Sequence, residues 1–299
     1  MHYQKGIIYT LLSAATFAMT PLFVVKAYQK GATAWEIIFI QSIVASSVLF
    51  IGLLLFSPQN LKINKSELKV LAPIGLIGSL GTVICYNLSL QYIPGGIATL
   101  LLYTYPVFVT IGAVSILGQK FTSKQILALI FGSLGVILAS KVMKLNGTGI
   151  NNIGFLLGIL AAISYTILNL LSEKALKTIS VWKVTAYTQF GSTLGILGII
   201  YFFPKLININ TIKPVFWLYG GGVSIFCSII PIFLLMQGIS YIGSSRASII
   251  STVEIPLTLV LVFIFLGERF TGLQIFGSFL IFFSVLILRT EGENANSFA

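Results

Sequence analysis

The sequence predicts an all-α integral membrane protein of ten transmembrane helices, arranged as two inverted five-helix repeats. Of its 299 residues, 57% are hydrophobic and only 8% are charged, whereas a soluble domain carries roughly 25% charged residues. The apolar residues come in runs of about twenty, the length that a helix needs to cross the bilayer. Because lipid offers no hydrogen-bond partners, spanning segments must be helices or closed barrels. The runs lack the alternation of strands, which leaves helices.

The ten predicted spans follow one another with short connections. They lie at residues 6–28, 33–56, 69–91, 94–117, 122–141, 152–173, 182–203, 214–238, 243–266 and 271–289. The first is predicted to be a retained span, since no small-residue cleavage site follows its apolar stretch. With the N-terminus in the cytoplasm, eleven of the 18 lysine and arginine residues fall in inner segments. This bias favours both termini inside.

The composition also indicates which function classes to exclude. The net charge of +11 raises nucleic acid as a partner, but the basic residues are scattered singly between apolar runs and are better explained by topology. Cys85 and Cys227 lie inside apolar runs, and the one histidine is the terminal His2, so neither a metal site nor a cofactor is expected. Without an aspartate or a nucleotide-binding loop, neither an enzyme nor direct ATP drive is expected.

The two halves of the chain resemble each other at an offset of 148–149 residues. Gly6, Lys26, Ala27 and Gln41 recur as Gly154, Lys174, Ala175 and Gln189, and Leu117–Thr122 recurs as Leu266–Thr271. Each copy holds five spans, an odd number, so the second copy must enter the membrane from the opposite side. We therefore predict a first repeat at residues 1–145 and a second, inverted repeat with a short C-terminal tail at 146–299. Such repeats are common in secondary transporters, whose substrate sites lie near the midplane.

Two prolines stand at corresponding places in the repeats. Pro106 lies mid-way along the fourth span and Pro256 mid-way along the ninth. Proline clashes with the carbonyl four residues earlier, so the carbonyls of Leu102 and Thr252 are expected to be freed and to need protein or water partners. A tolerated kink without a ligand is the alternative for either proline, but the matched pair favours helices that line a cavity. Pro231, in the eighth span, is expected to add a kink without a counterpart in the third.

Glu254 is the only carboxylate at the middle of any predicted span. An acidic residue at this depth costs roughly 2.5–3.5 kcal/mol on insertion scales, so it is rare without a purpose. It can bind a cationic substrate group, carry a proton, or pair with a neighbour such as Arg246. The first copy has Thr104 and Tyr105 before Pro106 and no acid, and this asymmetry suits an asymmetric substrate.

Other polar and aromatic side chains within the spans are weaker candidates. Each taken alone is better explained by hydrogen bonding between helices. The candidate substrate- or proton-binding residues are Glu254, Tyr103, Tyr105, Pro106, Thr252, Pro256, Thr20, Gln41, Tyr86, Asn87, Tyr165, Asn169 and Gln237. The glycine and serine clusters of the third and eighth spans are predicted to allow close helix packing. They comprise Gly75, Gly78, Ser79 and Gly81, and Gly220, Gly221, Gly222 and Ser224.

The end of the second copy is similar to a pattern of the drug/metabolite transporter superfamily, in its EamA type with ten helices. The resemblance is carried by Ser251–Pro256 and Phe265–Arg269, close to S-x-x-E-P and L-G-E-R, and in the first copy by Tyr105–Pro106 and Leu117–Lys120. One residue is inserted between Glu254 and Pro256. Gln119 stands where the family usually has an acid, and Gln41 near where many members have an arginine. The resemblance implies a central cavity, alternating access, and export of amino acids or other small metabolites.

The expected function is therefore a secondary transporter, and an exporter, of small metabolites in the cell (inner) membrane. A proton-coupled carrier using Glu254, an uncoupled facilitator and a multidrug exporter are open alternatives within this class. A non-transporting membrane scaffold or sensor is a distant alternative of another class. The expected partners are a small-molecule substrate, protons in the coupled case, and the lipid bilayer, with the chain as a monomer or homodimer.

Overall fold

The structure, a computed structural model, describes residues 2–93, 95–139, 151–207, 209, 212–267 and 270–296. Throughout these ranges the ordered elements are helices, and no strand occurs in them. Seven helical stretches among these residues are long and apolar enough to cross a membrane, and two more apolar helices are shorter. The prediction of an all-helical, ten-span membrane protein is confirmed. The predicted repeat boundary between residues 145 and 146, and the motif residues Glu268 and Arg269, lie outside the described residues.

Helices of the first repeat form the first five spans, and those of the second repeat form the remaining five. The first five are α1 (His2–Phe17) with α2 (Thr20–Gln29), α3 (Ala34–Phe56), α4 (Lys65–Pro73) with α5 (Leu80–Ser89), α6 (Gly95–Leu102) with α7 (Tyr105–Ser115), and α8 (Ser123–Ala139). The last five comprise α9 (Asn152–Leu176), α10 (Val181–Phe202), α11 (Pro214–Ser224), α12 (Ile230–Ser251), α13 (Glu254–Leu266) and α14 (Gly272–Asn296). Helix α12 turns sharply at Gly243 (φ 78°, ψ 163°). Its residues before Gly243 complete the eighth span, and those after Gly243 begin the ninth.

An even number of spans brings both chain ends to one side of the membrane, here named the terminal face, and the other side is named the opposite face.

Most spans that start at a face have a polar side chain at the helix start. Thr33 with Glu36 and Asn64 with Glu67 form reciprocal capping boxes at α3 and α4. Such caps satisfy backbone amides that have no partner inside the helix. Helices α2 and α7 begin within a span, without a side-chain cap and with proline in the first turn, which removes one of those amides.

The spans pack into two bundles and a peripheral pair. The first, second, eighth and ninth spans form bundle A, where α1 packs on α12 and α2 packs on α11 and α13. The third, fourth, sixth and seventh spans form bundle B, where α5, α6 and α7 pack on α9. Each bundle thus contains spans from both repeats. The second and seventh spans also join the bundles, with the hydroxyls of Ser46 and Thr193 2.6 Å apart. Helices α8 and α14 form the peripheral pair.

Small residues allow several of these close contacts, as predicted for the third and eighth spans. A Cβ atom added at Gly78 would lie 2.9 Å from the Leu168 backbone, and one added at Gly220 would lie 2.5 Å from the Ile40 side chain. The helices can approach so closely because glycine has no side chain at these two positions.

The third and eighth spans share a second feature that the sequence reading missed. Each contains a π-helical segment, at Ile74–Ser79 in the third span and Ile225–Ile229 in the eighth. Pro73 comes directly before the first segment, and Pro231 comes directly after α12 begins. The expectation that the Pro231 kink has no counterpart is therefore wrong. Both spans thus combine a proline with a π-helical turn, two features at which helices commonly bend.

Candidate functional site

The fourth and ninth spans are both interrupted at mid-membrane, at positions that match in the repeats. Helix α6 ends at Leu102 and α7 begins at Tyr105, while α12 ends at Ser251 and α13 begins at Glu254. Glu254 and Tyr105 therefore occupy the same structural position, the first residue of a half-helix.

At the second interruption, the backbone hydrogen bonds span three residues instead of the four of an α-helix. The Thr252 carbonyl accepts a hydrogen bond from the Ile255 amide at 3.1 Å, and the Thr252 hydroxyl donates to the Ile249 carbonyl at 2.7 Å. The expectation that the Thr252 carbonyl is freed is therefore wrong, because a bond spanning three residues replaces the lost helical one. Thr252, Pro256 and Pro106 are all buried and shape the breaks.

The first span has a break as well, which the sequence reading did not predict. Helix α1 ends at Phe17 and α2 begins at Thr20, with Pro21 next. The threonine–proline pair inside an apolar run was the available signal. The break faces α13, because the Thr258 hydroxyl, one turn after Glu254, donates to the Ala18 carbonyl at 3.5 Å.

The half-buried carboxyl of Glu254 lies where these broken helices meet. The Tyr103 hydroxyl lies within electrostatic range of this carboxyl. The Tyr105 ring stands edge-on to Tyr165, with centroids 4.6 Å apart, and its centroid is 6.0 Å from that of Tyr103. The Tyr86 hydroxyl also lies within electrostatic range of the carboxyl. Four tyrosines from the third, fourth and sixth spans thus lie within electrostatic range of one carboxyl group.

The eighth span contributes to the same region through its π-helical segment. Cys227 lies within electrostatic range of Glu254, and its thiol lies near the Thr20 side chain. Thr20 also donates to the Phe17 carbonyl at 2.6 Å, inside the break of the first span. Cys227 thus lies between two polar candidates.

The remaining candidate residues lie at other depths or bond within their own helices. Asn87 donates to the Val83 carbonyl and Asn169 to the Tyr165 carbonyl, each at 2.8 Å. Gln41 lies in the second turn of α3, near the opposite face. Gln237 precedes the turn at Gly243 by six residues, which places it roughly 7 Å closer to the terminal face than Glu254, at about 1.5 Å per residue.

On the terminal side of Glu254, bundles A and B pack against each other through α7 and residues 244–251. This interface is named the seam. The Tyr105 hydroxyl donates to the Ser248 carbonyl at 3.3 Å, and the hydroxyls of Thr110 and Ser245 are 3.2 Å apart. On the other side of Glu254, residues 81–88 of α5 and 257–259 of α13 are only half-buried. The seam is therefore closed towards the terminal face.

A second carboxylate, which the sequence reading did not single out, lies at the terminal end of this seam. Glu173 of α9 accepts hydrogen bonds from the Ser244 amide at 2.6 Å and from the Ser244 hydroxyl. Its other oxygen accepts from the Gln119 side chain. The only sequence signal was an acid near the end of an apolar run. Arg246, proposed as a partner for Glu254, instead has its guanidinium 5.7 Å from the Tyr3 ring centroid.

Among the described residues, no group of three or more histidine, cysteine, aspartate or glutamate side chains is arranged to hold a metal ion. The chemistry of the Glu254 region is that of one carboxyl group, phenol hydroxyls and aromatic faces. Such a set can bind a cation or exchange a proton.

Comparison with solved structures and with curated proteins gives consistent results. The fold matches a solved crystal structure with a TM-score of 0.80, covering 98% of this chain and 99% of the other at 14% identity. An uncharacterized transporter of Archaeoglobus fulgidus is 31% identical over 70% of this chain and 73% of its own length. The uncharacterized transporter YcbK of Bacillus subtilis is 25% identical over 94% of this chain and 91% of its own length.

The family comparison agrees with the internal repeat. The model of the EamA-like transporter family matches twice, at residues 4–141 and 152–290. Together the two matches cover nearly the whole chain. The protein belongs to the EamA-like transporter family, within the drug/metabolite transporter superfamily.

Proposed function

We propose that this transporter is a secondary carrier that exports small metabolites bearing a protonated amino group, such as amino acids, by alternating access. The single observation that supports the proposal is the half-buried Glu254 carboxyl, which starts a half-helix at mid-membrane and meets four tyrosines. A carboxylate at this depth is costly and tends to be functional.

The chemistry of the site favours a cation as the ligand. The Glu254 carboxylate supplies a negative charge, and tyrosine faces attract ammonium groups with roughly 0.5–2 kcal/mol each, more when desolvated. The Tyr103 hydroxyl lies within electrostatic range of Glu254 and can donate a hydrogen bond to the carboxyl. The same carboxyl can also carry a proton, so substrate and proton can compete for it. That competition is how one residue can couple substrate export to proton entry.

The proposed placement is the cytoplasmic membrane, with the terminal face inside and the repeats divided between residues 145 and 146. Eleven of the 18 lysine and arginine residues lie in segments that this orientation puts inside, as the positive-inside rule requires. The present conformation then has its seam closed towards the cytoplasm. The names of the relatives, all of them transporters, weigh against the scaffold or sensor alternative.

Flux in sealed proteoliposomes tests the proposal. Amino acids, amines and nucleosides are offered with and without an imposed pH gradient, to the wild type and to Glu254→Gln. We expect flux of an amino-group-bearing substrate that depends on the pH gradient and is lost in Glu254→Gln, because the amide cannot hold charge or proton.

A matched variant makes the result specific. Glu67→Gln removes a carboxylate that pairs with Lys183 at 2.9 Å, outside the Glu254 region, and should keep its flux. Flux that ignores the pH gradient makes the protein an uncoupled facilitator. Broad flux of unrelated cations makes it a multidrug exporter, and intact flux in Glu254→Gln refutes the assigned role.

A further inference from the structure

We propose that Glu173 is a positioning residue of the transport cycle: it fastens the ninth span to bundle B and thereby holds the cytoplasmic side of the seam closed. The inference rests on the alternating access proposed above. It is carried by different residues, about three turns of helix away from Glu254 along α12 and α13.

Glu173 joins parts of the molecule that must separate when the seam opens. It belongs to the sixth span, in bundle B, and Ser244 begins the membrane-crossing part of the ninth span, in bundle A. One carboxylate oxygen accepts both the Ser244 amide, at 2.6 Å, and the Ser244 hydroxyl. Hydrogen bonds to a charged group are stronger than those between neutral groups. These bonds must break before the cytoplasmic side can open.

The geometry of the turn explains why this contact is possible. Gly243 has a φ of 78°, a backbone conformation that glycine adopts without strain. The turn leaves the Ser244 amide at the start of a helical segment, where it has no partner within the helix. A Cβ atom added at Gly243 would lie 3.6 Å from both Glu173 oxygens and 3.5 Å from the Gln119 amide nitrogen. The turn, the carboxylate and the glutamine are thus in close proximity.

Gln119 holds the carboxylate in place from its own side of the seam. It follows the fourth span, in bundle B, and donates its side-chain amide to the second Glu173 oxygen. Its counterpart in the second repeat is the acid Glu268. The neutral amide is what this position requires, because a second carboxylate beside Glu173 would repel it.

A cavity adjoins the contact on its terminal side. It has a volume of about 160 Å³ and is lined by Glu173, Leu176, Lys177, Ile239, Ser240 and Gly243. It lies between the sixth span and the turn that joins the eighth and ninth spans. Opening of the seam can therefore begin at Glu173 and proceed towards Thr110 and Tyr105.

Thiol labelling from the cytoplasmic side tests the inference without any substrate. The reporter is Thr110→Cys, in a chain with Cys85→Ala and Cys227→Ala, because Thr110 is buried against Ser245 across the seam. A membrane-impermeant maleimide is added to inside-out vesicles. We expect Glu173→Gln to speed labelling about tenfold, the factor expected for weakening one hydrogen bond to a charged group. Ser244→Ala, which keeps the amide donor, should give a smaller increase.

The matched control is Glu67→Gln. It breaks the ion pair with Lys183, which joins the third and seventh spans inside bundle B and does not cross the seam, so labelling should stay at the starting rate. Unchanged labelling in Glu173→Gln, or an equal increase in Glu67→Gln, overturns the inference. If Glu173→Gln does not accumulate in the membrane, unchanged labelling in Ser244→Ala overturns it. Failure of the flux experiment at Glu254 leaves this result unaffected.

Discussion

Helices α7 and α13 occupy matched positions in the two repeats, yet they are buried to different extents. Six residues of α7 are buried, whereas only Ile255 and Pro256 are buried among residues 254–265 of α13. Both helices are apolar, begin at mid-membrane and contain a proline in their first turns. The difference comes from what each helix packs against, because α7 contacts both α9 and the start of the ninth span.

The comparison indicates that a symmetric frame is held in an asymmetric conformation. The first residue of each half-helix shows this directly, since Tyr105 is 3% exposed and Glu254 is half-buried. In an inverted repeat, opening of the other side of the seam exchanges the two environments. We expect α7 in that state to be as exposed as α13 is here.

The largest expected effect is on the reactivity of matched cysteines. Val109 of α7 is fully buried, and its counterpart Thr258 in α13 is half-buried. In a chain with Cys85→Ala and Cys227→Ala, Thr258→Cys should react with an impermeant maleimide added at the opposite face. Val109→Cys, with the reagent added at the terminal face, should react about ten- to thousand-fold more slowly, because the conformation open to that face is a minor one, typically populated at ~0.1–10%. Equal rates would mean that the two halves are equally open.

A carboxylate placed in the closed half should destabilise the protein. Tyr105→Glu puts an acid at the position equivalent to Glu254, but inside the seam, where its cost is about 2.5–3.5 kcal/mol on insertion scales. We expect a clearly lower Tm in detergent. Thr104→Glu, at a half-buried neighbour, is the control and should lower the Tm less. A Tm for Tyr105→Glu equal to that of the control contradicts a tightly closed seam.

The matched pair Gly78 and Cys227 compares packing in the third and eighth spans. Gly78→Ala brings a methyl group to 2.9 Å from the Leu168 backbone, and such overpacking typically costs ~1–3 kcal/mol. Cys227→Ala removes atoms beside Thr20 and should change the Tm less. The Tm values of both variants, measured in the same detergent, check this order. A larger loss in Cys227→Ala would place the tighter packing in the eighth span.

The smallest effect is expected for a single hydroxyl in the seam. Tyr105→Phe removes the hydrogen bond to the Ser248 carbonyl, which contributes about 0.5–1.5 kcal/mol. Labelling of Thr110→Cys from the terminal face should then rise a few-fold. Tyr187→Phe removes a comparable bond, to the Leu61 carbonyl at 2.7 Å, away from the seam, and should not change the rate. Equal rates in the two variants would mean that this hydroxyl does not help to close the seam.

Much of the fold could be read from local features of the sequence. Runs of apolar residues give the spans, and the spaced matches between the halves give the inverted repeat. The helix breaks beside Pro106 and Pro256 follow from the chemistry of proline, which acts within one turn. Glu254 is identifiable because a charge inside a long apolar run is rare.

The rest of the candidate site depends on which helices become neighbours. The list of polar residues included Tyr103 and Tyr165, which lie with Glu254 and Tyr105, and also Gln41 and Gln237, which lie at other depths. Nothing in the spacing of polar residues along a helix states how the helix is rotated or which span it meets. The same limit explains why Glu173 was missed, since its partner Ser244 lies 71 residues further along the chain.

The sequence by itself determined that this protein lies in the membrane, crosses it ten times, repeats itself in inverted form and carries one acid at mid-depth. These properties follow from hydrophobicity and from the backbone chemistry of proline, which act locally. The tertiary structure alone decided that Tyr105 is sealed while Glu254 is partly open, and that Glu173 and Ser244 meet. Those outcomes depend on packing between distant helices, and two matched helices can differ in it because each packs against different neighbours.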